Sequence, residues 1–88
     1  MSTQFNNSGK YNGWTNYATW RVNLEVFDNF DIDGYSDDTY ELSQELQDYL
    51  ELYIDETSAG LAKDYALAFI RGVNWYEIAE HIIETNKE

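Results

Sequence analysis

Nine carboxylates fall between positions 31 and 55: Asp31, Asp33, Asp37, Asp38, Glu41, Glu45, Asp48, Glu51 and Asp55. Acids at that density can do three kinds of work. They can hold a hard cation, act as an acid–base pair, or stand as a row of fixed negative charge. Their spacing separates these cases. A calcium loop of the EF-hand type needs oxygen ligands at loop positions 1, 3 and 5, Gly at 6 and Glu at 12. Started at Asp28, the frame puts Phe30 and Ile32 where ligands belong; started at Asp31, it puts Leu42 where Glu is required. The motif fails. Glycoside hydrolysis needs two carboxylates facing each other across a cleft. With seventeen acids in 88 residues, any chosen pair is uninformative.

The row is the more informative arrangement. Carboxylates three and four residues apart on a helix stand about 5–6 Å from one another. Successive phosphates along one DNA strand lie at a comparable distance, on the order of 6–7 Å. Asp48, Glu51 and Asp55, flanked by Glu41 and Glu45 and preceded by Asp31, Asp33, Asp37 and Asp38, can therefore offer a basic groove a substitute for phosphates. The alternative is a solvated outer face that only keeps a small protein in solution. Both readings stand at this point.

Other chemistry finds little support. His81 is the only histidine and has no cysteine to share a metal with. The five glycines are scattered singly, so no phosphate cradle of the glycine-rich type exists. No enzyme, metal or other cofactor is expected. Five basic residues against seventeen acidic ones leave a net charge of −12. Such a field repels nucleic acid and anionic membrane and attracts basic protein surfaces. The lack of cysteine is compatible with a reducing compartment. No apolar run suits a membrane span or a signal core.

One domain fits this length. The expected fold is mainly α, a small bundle of three to four helices over 14–88 behind a polar arm at 1–13. The first helix begins at Thr15 or Asn16, with Tyr17, Trp20, Leu24 and Phe27 as its inward stripe. A strand at 19–27 is the rival, because Trp20, Val22, Leu24 and Val26 also alternate. A second helix follows the loop at 28–38, capped by Asp38 with Glu41, and turns Leu42, Leu46, Tyr49, Leu50 and Tyr53 inward. A third helix spans 60–71, with Leu61, Tyr65, Ala68 and Phe69 facing one way. A fourth starts at the Asn74 cap, with Glu77 three residues on, and buries Trp75, Ile78, Ala79, Ile82 and Ile83.

The stretch YNGWTNYATW at 11–20 packs two tryptophans and two tyrosines into ten residues. Tyr17 and Trp20 are assigned to the core, whereas Tyr11, Asn12 and Trp14 are the members placed to meet a partner. The run NGWTNYATWRVNL, through Asn12, Gly13, Trp14, Thr15, Asn16, Tyr17, Thr19 and Trp20, resembles a family of small bacteriophage and mobile-element proteins. Those proteins open with N-G-[WY]-T-N-Y-x-T-W ahead of an apolar-periodic segment. Ala18 stands where an acidic residue is usual, which weakens any catalytic or metal role there. The segment VNWYEIAEHII at 73–83 is similar to a closing segment of such proteins. The two patches cover about a quarter of the chain.

The family carries no established chemistry. The resemblance implies an origin instead: a phage-type accessory protein in the cytoplasm of a bacterial host. Small acidic proteins of that source often block host defence, as anti-CRISPR and anti-restriction proteins do, by occupying a nucleic-acid groove. The expectation is a non-enzymatic inhibitor, monomer or homodimer. It would bind a basic bacterial protein such as a CRISPR-associated or restriction complex through its acidic face, and neither nucleic acid nor membrane directly. The alternative is a modulator of another host protein, for example polymerase, acting through Tyr11 and Trp14.

Overall fold

Asn16 sets where the first helix begins. Its backbone is extended, and its Oδ1 accepts the Thr19 backbone N–H at 2.9 Å, meeting one of the donors that a helix start leaves without a partner. The computed structural model describes residues 11–86 and holds four α-helices. These are α1 (Tyr17–Val22), continued by a π-helical turn over Asn23–Phe27, then α2 (Thr39–Thr57), α3 (Gly60–Ile70) and α4 (Trp75–Asn86). No strand occurs among the described residues, so 19–27 is helical and the mainly-α bundle is the fold. Of the arm expected over 1–13, residues 1–10 lie outside the described residues. Tyr11 and Trp14 exchange backbone hydrogen bonds of 2.8 Å across Asn12 and Gly13, whose φ angles are 48° and 87°. Positive φ at both central residues defines a type I′ turn, for which Asn-Gly is the favoured pair.

The core forms chiefly between α2 and α4. Leu42, Leu46, Leu50 and Ile54 of α2 meet Ile78, Ala79 and Ile82 of α4, joined by Val22, Phe27, Ile70 and Val73. Three expected stripes need correction. In α1, Tyr17 and Leu24 are exposed, and the buried positions are Thr19, Val22, Asn23 and Phe27. The π turn shifts the face so that Phe27 still points inward, and two of the buried side chains are polar. In α2, Tyr49 and Tyr53 are exposed, with Ser43 and Ile54 on the buried face in their place. In α3, only Ile70 is buried, while Leu61, Tyr65 and Phe69 all face outward.

Two segments more than fifty residues apart are stitched together by polar bonds. Thr19 Oγ1 donates to Asn16 Oδ1 at 2.7 Å and accepts the Asn74 backbone N–H at 2.8 Å. Asn16 Nδ2 donates to the Gly72 carbonyl at 2.8 Å, and Asn74 Nδ2 donates to Thr15 Oγ1 at 3.1 Å. Asn74 Oδ1 caps α4 through the Glu77 N–H at 3.0 Å. Glu77 does not return a bond to Asn74; its Oε1 takes the Thr15 N–H at 2.9 Å. The capping box is thus shared between two helix starts. Thr19→Val keeps the side-chain shape but strands the Asn74 N–H. The expected loss is about 1–3 kcal/mol, read as a melting temperature lower by at least roughly 4 °C. An unchanged melting temperature would contradict this role.

Candidate acidic interface

The nine acids do not act as one set. At the start of α2, Asp38 Oδ2 accepts the Glu41 N–H at 3.0 Å and caps the helix. Ser36 ties the loop to α2: its N–H donates to Glu45 Oε1 and its Oγ to Glu41 Oε1, each at 2.9 Å. Ser36 Oγ also accepts the Asp38 N–H at 3.0 Å. Asp31 accepts the Asp33 N–H at 3.0 Å within the loop. Phe30, Ile32 and Tyr35 pin that loop against the core. Asp31, Asp38, Glu41 and Glu45 are therefore engaged in shaping the loop and the helix start. Asp33 and Asp37 stand exposed beside them.

Asp48, Glu51 and Asp55 come together as the sequence row requires. With 3.6 residues per turn, they and Glu41 and Glu45 fall opposite the Leu42–Leu46–Leu50–Ile54 face. Asp48, Glu51 and Asp55 line one side of an open groove of about 840 Å³, together with Gln47 and Leu52. The far wall comes from the end of α3 and the start of α4: Leu67, Ile70, Arg71, Val73 and Trp75. Glu51 accepts a hydrogen bond from Gln47 Nε2 at 3.0 Å, and Asp55 pairs with Lys63. That pair is partly exposed and holds its two charges together only weakly. The groove thus presents carboxylates on one wall and an apolar floor, with Arg71 as the one base that lines it among the described residues.

Tyr11 and Trp14 lie elsewhere. Tyr11 packs on Tyr17 at 5.1 Å and on Trp20 at 5.0 Å between ring centroids. Trp14 stands edge-on to His81 at 5.1 Å and leans against the core. Beside Trp14 is a shallow pocket of about 590 Å³ whose wall includes Glu77, Glu80 and Glu84 of α4. These carboxylates repeat the three- and four-residue spacing of α2 in the run EIAEHIIE, a signal present in the sequence but not among the expected site residues. Among the described residues no group of three or more His, Asp or Glu side chains is arranged to hold a metal ion. No described helix is long and apolar enough to cross a membrane.

Compared with protein families, curated proteins and solved structures, the chain shows no match. Like charges along the α2 row oppose helix formation by a few tenths of a kcal/mol per pair. Asp48→Asn relieves that repulsion and touches no cap. Its melting temperature should rise slightly, and more in low salt than in 0.5 M salt; a fall in both conditions would show that Asp48 has a structural partner.

Proposed function

We propose that this protein is a non-enzymatic inhibitor that presents the α2 acidic row to a basic, nucleic-acid-binding surface of a bacterial defence complex, of the CRISPR-associated or restriction type. The observation that carries the reading is the groove wall of Asp48, Glu51 and Asp55 on the face of α2 away from the core. The net charge of −12 supports it by steering a basic partner toward the molecule. Lysines and arginines that normally hold phosphates would meet carboxylates at similar spacing and form charge-assisted hydrogen bonds. Lys63 would release Asp55 to the partner at little cost, because the pair is open to solvent. The target class and the bacterial cytoplasm as the place of action rest on the phage-type resemblance of residues 12–20.

A second reading rests on the Trp14 pocket. Its aromatic wall and three glutamates suit an arginine or lysine side chain inserted from another host protein. The two readings separate by mutation. In the first, the combined change Asp48→Asn, Glu51→Gln and Asp55→Asn weakens binding to a basic effector about tenfold or more, and affinity falls with ionic strength. Surface plasmon resonance against purified effector complexes at several salt concentrations measures both. Binding indifferent to salt and to the triple change removes the proposal. Sensitivity instead to Glu80→Gln with Glu84→Gln would favour the Trp14 pocket.

A further inference from the structure

The helix α3 is built like a core helix but is not buried like one. Leu61, Tyr65 and Phe69 recur every four residues along one side and are 64%, 68% and 43% exposed. Helical periodicity places Ala62 and Ala66 on the adjoining side. Among the described residues this stripe stays open to solvent. Next to it runs a groove of about 420 Å³ between α1 with its π turn and α3. Leu50, Ile54 and Ile70 form its floor, and Tyr17, Val26 and Phe69 line its sides. Tyr17 and Phe69 stand edge-to-face at 6.3 Å across one end of it.

Charge distinguishes this face from the others. The ionised groups on α1, its π turn and α3 are Arg21, Glu25, Lys63 and Asp64, two of each sign. Arg21 Nε donates to Glu25 at 2.8 Å and its Nη1 to the Tyr17 hydroxyl at 2.7 Å, so the groove rim is internally satisfied. These two hydrogen bonds, that to the Tyr17 hydroxyl foremost, hold the Arg21 pKa above its ordinary value. The acids that give the chain its net charge stand mostly on α2, α4 and the 28–38 loop. A partner drawn in by charge would bind there. A partner for the neutral, apolar face must be neutral and apolar in the same places, and the face of a second copy of this chain meets that condition.

We infer that this face joins two copies of the chain, with the α3 stripe of each seated against the α1–α3 groove of the other about a two-fold axis. Such an interface is isologous, so stripe and groove are each used once by each copy. Tyr17, Leu61, Tyr65 and Phe69 leave about 400 Å² of side chain in water, taking 150–250 Å² for each large side chain. That is half of the roughly 800 Å² per partner in a standard interface. Ala62, Val26 and the aliphatic stems of Arg21 and Lys63 extend it.

Sedimentation equilibrium of the full chain from low micromolar to millimolar concentration tests the inference. A monomer–dimer equilibrium is expected, strengthened by added salt because screening reduces repulsion between the two acidic copies. Leu61→Ser with Tyr65→Glu should shift the dimer dissociation constant upward by at least tenfold. Both residues are exposed in the single copy, so the helical circular dichroism and melting temperature of the diluted variant should be unchanged. A chain that stays monomeric at every concentration and salt overturns the proposal. So does a dimer that the double variant leaves intact. A monomer that dimerises only after removal of residues 1–10 would assign the face to that segment and overturn it as well.

Discussion

Every helix start leaves backbone N–H groups that its own turns cannot satisfy, and this fold brings two such starts together. Thr15, Asn16 and Thr19 at the head of α1 meet Asn74 and Glu77 at the head of α4. Each side supplies acceptors that the other lacks. Thr19 Oγ1 takes the Asn74 amide, and Glu77 takes the Thr15 amide. Thr19 is fully buried, so its hydroxyl could not have been left without partners at low cost. Once α4 is held in this way, its Ile78, Ala79 and Ile82 face sets the position of α2 through the core. The acidic row inherits its placement from that chain of contacts.

The same logic separates structural from available charge. Near the start of α2 carboxylates serve as acceptors for backbone and serine groups, and the loop depends on them. Further along the helix they line a groove and satisfy little of the fold. A protein of this size gains nothing in stability from a crowded carboxylate row; it tolerates the repulsion. The neutral face across α1 and α3 shows that acidity is distributed rather than uniform. Charge and apolar area occupy different sides of α3, and each side fits a different kind of partner.

Much of the architecture was legible in the residue pattern, and the reasons for the misses are physical. Asp38 with Glu41, and Asn74 with Glu77, marked two helix starts because capping is local chemistry. Gly60 and the helix after it were equally plain. The buried face of α1 was not, because Thr19 and Asn23 are polar and a hydropathy stripe passes over them. A π turn, which moves Phe27 relative to Tyr17, has no reliable sequence mark. In the sequence the α3 stripe looks like core, because periodicity reveals which side is apolar and says nothing of whether anything covers it. At the site, the Asp48–Glu51–Asp55 row followed from helical spacing alone. The engagement of Glu41 and Glu45 with Ser36 did not, since it depends on how the loop folds back. The motif residues Thr15, Asn16 and Thr19 proved to be hydrogen-bonding pieces of the fold, and Tyr17, in the aromatic cluster around them, lies largely on the surface.

Native-state hydrogen exchange of the Thr15, Thr19 and Asn74 amides tests the shared helix starts most directly. These amides sit where helices ordinarily fray and exchange fast. If the cross-bonds hold the fold together, all three should open with the same free energy and denaturant dependence as the Leu46 and Ile82 amides in the interiors of α2 and α4. Exchange of the three through a low-energy local opening, with Leu46 and Ile82 still protected, would contradict the account.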